Sequence, residues 1–380
     1  MSREFVELLT RETMTEGQNM KILHIESGRN LYGGALQVVF LLRGLAAAES
    51  GRQVLVCPRD SAIAAVQDVL ATVHAIRMGG DGDPSQTLRI RRIIRTEAPD
   101  LVHIHSRRGA DLWGLMAARA CRVPVVLTRR VDNPEPRWLV RMRYGHCDHV
   151  VTISRGIFQV LRSEGVPEAK LTCVHSAVDT ECYRPRPDPA WFSSTFDLPA
   201  GAPAVGMIAQ FIERKGHRTL LDAIPRILEA HAQTRFLLFG QGPLQTEIEH
   251  RLRQTGLDQH VLVAGFRDDL EQVIPNLDLV VHPAQMEGLG VSLLQASACA
   301  VPIVAARAGG IPEAVRDGEN GILVPPADAA ALAESVIALL NDHTRARAMG
   351  QRGREIVLRD FSIPTMVSGN LAVYRRVLRR

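Results

Sequence analysis

Short apolar runs rich in β-branched residues recur along this chain, separated by longer stretches in which apolar residues repeat with helical spacing. KILHIE (21–26), QVLVCP (53–58), PDLVHIHS (99–106), VPVVLT (123–128) and HVVTIS (149–154) are short and nearly continuous in apolar character, so each reads as a buried strand. Between the first two lies ALQVVFLLRGLAAAESG, a helix closed by Gly51. Strand then helix, repeated, is the pattern of a parallel sheet: each parallel step needs a crossover, and crossover helices cover both faces.

The stretch 183–203, YRPRPDPAWFSSTFDLPAGAP, is rich in Pro and aperiodic, and reads as a linker. Beyond it the alternation restarts, with strands at 204–210, 235–240, 261–266, 277–283, 302–306 and 321–326 and helices at 216–231, 243–255 and 290–300. The expected organisation is a frayed extension over residues 1–19 and two Rossmann-like α/β domains. The first spans 20–185, with a C-terminal helix at about 361–380 packing back on it. The second spans 186–360. Ligands of such sheets sit outside the carboxyl ends of the strands, and a pair of such units places the expected site in the cleft between them.

Composition removes several classes. Only 4% of residues are aromatic, which argues against a protein that stacks single-stranded bases, and no nucleic-acid partner is expected. No run of eighteen uncharged apolar residues is present, and the first twenty residues carry acids without an apolar core, so neither a membrane span nor a secretory signal is read. The six cysteines form no CxxC, which suggests reduced thiols in the cytoplasm. The formal charge of +4 is unevenly distributed: residues 86–143 hold thirteen Arg against five acids. A basic face of that kind attracts phosphates, anionic lipid or nucleic acid, or is a solvated surface in an Arg-rich chain.

Several strand-end loops carry candidate chemistry. Gly33 and Gly34 open the first helix, where a phosphate or sugar can approach backbone N–H groups. The spacing is not G-x-G-x-x-G, and Cys57-Pro58 stands where a dinucleotide enzyme places its ribose-binding acid. Lys215, one of three lysines, precedes Gly216 and a helix, beside Arg214; a compact ammonium there could neutralise a diphosphate, the alternative being a surface lysine near a helix start. In HPAQMEGLGVSLLQASA (282–298), Glu287 stands before Gly288-Leu289-Gly290, which opens a helix with free N–H groups, and Gln295 lies two turns on. His105 closes a strand, where an imidazole could hydrogen-bond a sugar or its leaving phosphate or could be purely structural. Asp81-Gly82-Asp83 has the form of a metal–diphosphate motif, but the surrounding Gly79-Gly80 and Pro84 favour a turn. His146-Cys147-Asp148-His149 is too compact in sequence for its side chains to converge on one ion.

Taken together, these residues resemble family 4 of the retaining GT-B glycosyltransferases, from Lys21 to Tyr374. The strongest elements are FLLFGQGPLQTEIE, VLVAGFRDDLEQVIPNLDLVVHPAQMEGLGVSLLQA and VPIVAARAGGIPEAVRDGENGILVPPAD; HSAVDTECYRP resembles the family's turn before the linker. The resemblance implies a GT-B architecture, two Rossmann-like parallel-sheet domains facing across a cleft. It implies that Glu287 contacts the transferred sugar and that Gly288, Leu289, Gly290 and Val291 offer backbone to the diphosphate. Lys215 would bind phosphate, Gly265-Phe266 would lie by the nucleobase, His105 near the sugar, and Gly33-Gly34 near the phosphates. Two positions depart from the pattern: Gln295 replaces a second glutamate and Gln210 an arginine, with Arg214 a nearby substitute.

The chemistry implied is transfer with retention from a nucleotide-diphosphate sugar, a UDP-sugar first among donors, with no metal and no further cofactor. An epimerase or hydrolase of the same fold, or an inactive sugar-nucleotide binder, are the rival readings. The acceptor expected from the Arg-rich region is an anionic or lipid-linked glycan of cell-envelope polysaccharide or lipopolysaccharide synthesis. Arg107, Arg108, Arg129 and Arg130 at strand ends are its candidate contacts. RWLVRMR (137–143) suggests peripheral contact with an anionic membrane, on the cytoplasmic face of the inner membrane.

Overall fold

The computed structural model describes residues 20–31, 33–66, 71–106 and 109–379. The chain forms two compact units. The first runs to Ser176 and takes back the chain from Ile363; the second is Ala177–Ser362.

In the first unit, seven parallel strands lie in the order β3-β2-β1-β4-β5-β6-β7. They are β1 (Lys21–Ile25), β2 (Arg52–Pro58), β3 (Ala71–Ile76), β4 (Leu101–Ile104), β5 (Val125–Arg129), β6 (His149–Thr152) and β7 (Leu171–Cys173). Strands β3 and β7 are additions to the sequence reading. β3, ATVHAI, is largely open to solvent and alternates too weakly to stand out, and β7 has three residues. Helices α1 (Gly34–Ala47), α2 (Ser85–Glu97), α3 (Leu115–Ala120), α4 (Arg137–Tyr144) and α5 (Arg155–Ser163) connect the strands. Period-two alternation sends Leu23, Ile25, Val102 and Ile104 into one buried cluster with Ile90 and Ile94 of α2. The opposite face of the same strands carries His24, paired in register with His103. The C-terminal helix, Ile363–Leu378, lies against α1.

The second unit has six parallel strands in the order β10-β9-β8-β11-β12-β13. They are β8 (Ala204–Ile208), β9 (Arg235–Phe239), β10 (Val261–Gly265), β11 (Leu279–His282), β12 (Ile303–Ala306) and β13 (Gly321–Val324). Its core gathers Val205, Met207, Phe236, Leu238 and Val281 from the strands with Leu220, Ile224 and Ile227 of α7 (His217–Ala230), which follows α6 (Pro189–Phe196). That α6 corrects the linker reading of 183–203. Asp188 caps the helix through the Trp191 N–H at 3.1 Å, Pro189 occupies its first turn, and Phe192 and Phe196 are buried. An eight-residue helix anchored by two aromatics is too short to register as periodicity among five prolines.

Both sheets reverse strand order once, between β1 and β4 in the first unit and between β8 and β11 in the second. Loops leaving neighbouring strands at such a point run to opposite sides and leave a crevice at the carboxyl ends.

Candidate functional site

In the second unit, Glu287 is held by three donors. Lys215 Nζ pairs with its Oε2, His282 Nε2 lies 3.0 Å from the same oxygen, and the Gly288 N–H donates to Oε1 at 3.1 Å. The loop after β8 reaches this place because Gly216, at φ 78°, packs against the loop after β11: a Cβ there would meet the Pro283 carbonyl oxygen at 2.0 Å. The Gln285 N–H donating to Arg214 O at 2.8 Å ties these two loops further, and the Gly310 N–H donating to Glu287 O at 2.9 Å ties the loop after β12 to Glu287. Burial pushes the Glu287 carboxyl up, but the His282 hydrogen bond and the charges of His282 and Lys215 outweigh it and hold it well below the usual carboxylate range. It is an anion at any physiological pH.

Immediately after this anion, Gly290 at φ 86° starts α10 (Val291–Ala298); α8 (Gln245–Thr255) and α9 (Leu270–Val273) come between α7 and α10 in the chain. Leu289 is buried, which pins the backbone at the helix entrance, while Gly288 and Val291 stay half-buried. Gln295 is half-buried on α10. Gln210 and Arg214 are exposed in the loop after β8, Gly265 at φ 73° closes β10, and Phe266 beside it is 58% exposed. Gln210 and Arg214 thus share the loop of Lys215, and Gly265 and Phe266 lie at the end of β10, all at the same carboxyl end of the sheet. The contact of His282 with Glu287 is not legible from spacing alone. His217 was also missed. It is buried edge-on to Phe211, and burial, with His282 and Lys215 nearby, pushes it down to about 4.

In the first unit the carboxyl ends of β1, β4 and β5 carry Glu26, His105 and Arg130. Arg130 Nε donates to His105 O at 3.3 Å, and the Gly28 N–H donates to Glu26 Oε1 at 2.6 Å. Burial raises the Glu26 carboxyl against the opposing charge of Arg130, and it lowers the Arg130 guanidinium against the charge of Glu26. Gly34 lies against Arg130: a Cβ there would come 3.2 Å from its Cδ. Gly33, at φ 57°, is exposed in front of α1. Thus Gly33, Gly34, His105 and Arg130 share one unit's strand ends, and Lys215, Glu287 and Gly288 share the other's. Glu26 was missed, although alternation in KILHIE places it on the face of His24.

Arg129 is a correction. Expected at the acceptor, it is instead 1% exposed and fully engaged. It pairs with Glu135 at 2.9 Å and donates to Tyr144 Oη, Val131 O and Asn133 O. It ends β5 one residue before Arg130, and alternation turns it to the opposite face. Arg107 and Arg108 lie outside the described residues. On α4, Arg143 is bound by Glu135 and Asp111, whereas Trp138 is 69% exposed and Met142 38% exposed. Asp81–Asp83 forms a tight turn in which Asp83 pairs with Arg89 at 2.5 Å. In the His146–His149 segment each group has its own partner: His146 has Met142 O, Asp148 the Val125 N–H, and His149 Thr172 Oγ1. Among the described residues no helix is long and apolar enough to cross a membrane.

Comparison with known proteins agrees with this arrangement of sheets and loops. Residues 32–182 match the model of Glycosyltransferase Family 4, and residues 202–342 that of Glycosyl transferases group 1. N-acetyl-alpha-D-glucosaminyl L-malate synthase of Bacillus anthracis is 25% identical over 77% of this chain and 78% of its own. The GDP-mannose-dependent alpha-(1-6)-phosphatidylinositol monomannoside mannosyltransferase of Mycolicibacterium smegmatis is 29% identical over 73% and 76%. Anabaena HepE, solved in complex with UDP and glucose, superposes with a TM-score of 0.81 at 21% identity, over 94% of this chain and 100% of its own. The fold is GT-B, and the chain belongs to the family 4/group 1 glycosyltransferases, whose two models match its two parts. It is a glycosyltransferase.

Proposed function

We propose that this glycosyltransferase takes its sugar from a nucleoside diphosphate donor and transfers it to an acceptor hydroxyl with retention of configuration. The observation that carries the reading is the Lys215–Glu287 pair set against the entrance of α10. Breaking the bond between the anomeric carbon and the diphosphate leaves negative charge on the phosphate oxygens. A fixed ammonium and unpaired helix N–H groups stabilise charge of that kind as it develops. Glu287, held as an anion, accepts hydrogen bonds from sugar hydroxyls. The acceptor oxygen bonds to the anomeric carbon on the face the diphosphate leaves, and its proton passes to the leaving phosphate. This scheme uses the Lys215 ammonium and backbone N–H groups where other enzymes use a metal ion, and no further cofactor enters it. His105 is assigned to sugar hydroxyls and Gly265-Phe266 to the base.

The mannosyltransferase relative is named for a GDP-mannose donor, and HepE is solved with UDP. Both are nucleoside diphosphates; we place UDP-sugars first. For the acceptor, the lipid-linked substrate in the mannosyltransferase's name and the exposed Trp138 and Met142 of α4, with exposed Arg137 and Arg141, favour an anionic or lipid-linked envelope glycan. Arg130 is its contact in the first unit, and the enzyme works at the cytoplasmic face of a membrane.

A thermal-shift screen of UDP- and GDP-sugars identifies the donor, since a ligand of the native state alone raises the melting temperature. Glu287→Gln should keep the fold and lose about a hundredfold or more of turnover. A wild-type rate in that variant removes Glu287 from the reaction, and a product of inverted anomeric configuration by NMR overturns retention.

A further inference from the structure

Three imidazoles lie buried together on one face of the first unit's sheet: His24 on β1, His103 on β4 and His105 at its end. His24 and His105 stack with ring centroids 5.2 Å apart, and His103 and His105 lie 3.8 Å apart. Their hydrogen bonds form a directed chain whose start is fixed by the backbone. Gln53 Nε2 donates to Ser50 O at 3.2 Å. A carbonyl oxygen only accepts, so the amide orientation of Gln53 is set and its Oε1 faces His24 Nε2, 2.9 Å away. Nε2 must then carry the His24 proton. Burial drives the His24 pKa down to about 4, against the opposing Gln53 bond, so the ring is neutral and its Nδ1 is a lone pair. His105 Nε2 lies 2.9 Å from that lone pair and must donate to it. His105 is itself held neutral by burial and by His103, His24 and Arg130. Its one proton is therefore on Nε2, and its Nδ1 is an acceptor.

That Nδ1 is buried and has no hydrogen-bond partner among the described residues. The ring lines a cavity of about 10 Å³ with Thr128, Arg130, Ser176 and Asn370, room for one water or one hydroxyl. We infer that Ser50, Gln53 and His24 form a relay that locks His105 in its Nε2–H tautomer, so that it accepts a hydrogen bond at Nδ1 from a sugar hydroxyl. His24 and Gln53 are positioning residues, and the catalytic meaning of the relay rests on the assignment of His105 above. The alternative use of three imidazoles is a metal site, since their ligand atoms lie within 4.8 Å of one another. The hydrogen bonds argue against it. His24 and His105 share a proton between facing nitrogens, and both nitrogens of His103 are taken, by Tyr374 Oη at 2.6 Å and Thr128 Oγ1 at 2.7 Å.

The test is two-armed. Long-range proton–nitrogen NMR on the ¹⁵N-histidine-labelled full chain, without ligand, should show His105 with a protonated Nε2 and an unprotonated Nδ1. His24→Phe, which keeps a ring and removes the acceptor, should give a mixture of tautomers; His24→Asn, which restores an acceptor near the Nδ1 position, should restore the single form. In the second arm, turnover of UDP-glucose and GDP-mannose is followed. His24→Phe should lower kcat about tenfold to a hundredfold with KM for donor little changed, and His24→Asn should recover most of it. A proton on Nδ1 of His105 in the wild type overturns the relay, as does one tightly held zinc per chain by elemental analysis. The intended tautomer with kcat unchanged in a folded His24→Phe that loses it leaves the relay intact and refutes the catalytic assignment of His105.

Discussion

The two units solve the same topological problem with opposite electrostatics. At the switch point of the second, a lysine and a glutamate meet as ions beside a helix entrance, with side chains 12% and 16% exposed. At the switch point of the first, the strand ends carry neutral imidazoles, a glutamate raised by burial and an arginine lowered by it. Charge kept as charge suits a diphosphate, whose own charge grows as it leaves. Neutral imidazoles suit hydroxyls, which need direction more than field, and Arg130 beside Glu26 is the charge left for an anionic acceptor. The contrast predicts which substitutions damage donor binding, which damage folding, and which alter only the surface.

The largest effect is expected where charge is irreplaceable. Lys215→Ala should lower transfer by about 10²–10³ and weaken donor binding, with the melting temperature little changed, since Glu287 retains His282 and the Gly288 N–H. Calorimetric titration with nucleotide sugar and steady-state kinetics measure both. An unaltered donor affinity would move the phosphate role to Arg214 and erase the contrast between the units.

Next is the buried ion pair of the first unit, which the contrast assigns to architecture. Arg129→Ala removes one charge partner from Glu135, which keeps Arg143, and removes donors from Tyr144 Oη and two carbonyls. Breaking a buried pair from one side costs about 3–5 kcal/mol. Denaturant unfolding should show a loss of that order. A variant of normal stability and raised KM for acceptor would return Arg129 to the site.

This residue also marks the limit of what sequence conveys. The strand–helix alternation, the two-unit design and the residue types at strand ends follow from periodicity and from loop glycines, because the backbone enforces both, whereas strand order and the short or exposed strands β3 and β7 do not. Which of two adjacent arginines turns inward is decided by partners distant in sequence, here Glu135 and Tyr144, and alternation alone does not name the face. His24 and Glu26 were equally hidden. Each sits in an ordinary buried-strand pattern, and only the register of β1 on β4 makes His24 meet His103. Helix α6 was hidden by its prolines for the local reason that Pro at a helix start reads as linker composition.

A third effect is the pH dependence of stability. His24, His103, His105 and His217 all have pKa values lowered in the folded chain, with burial the first cause. The unfolded chain takes up protons at these sites near 6.5, while the folded chain keeps His24 and His217 neutral down to about 4. More protons bind the unfolded state in that window, so stability rises with pH across it and is lost as pH falls from about 6.5 toward 4. Glu287 acts in the same direction at lower pH, since its folded carboxyl is depressed and its contribution vanishes as it protonates. Unfolding free energies across this range for wild type and His217→Gln should show a shallower slope in the variant. Equal slopes would mean that His217 is protonated in the folded state.

The smallest effect separates surface from site. On α4, Val140 and Tyr144 pack inward and Arg143 is tied to Glu135 and Asp111, so the helix is held to the sheet by its other face. Trp138 and Met142, one turn apart, are left to solvent, flanked by exposed Arg137 and Arg141. An indole exposed at 69% contributes little to the core, so Trp138→Ala should change unfolding free energy by no more than about 0.5 kcal/mol. If this face rests on an anionic membrane, the same substitution should reduce co-sedimentation with phosphatidylglycerol vesicles severalfold, because indole prefers the interface and arginines supply a salt-sensitive attraction. Neutral phosphatidylcholine vesicles should bind weakly at every salt concentration, and raising salt should release wild type from anionic ones. Transfer to a soluble acceptor should be unaffected, since α4 takes no part in the ion pair at Glu287. Equal vesicle binding by wild type and Trp138→Ala, or none by either at low salt, removes the membrane from the account and leaves α4 as a solvated face with a stray tryptophan.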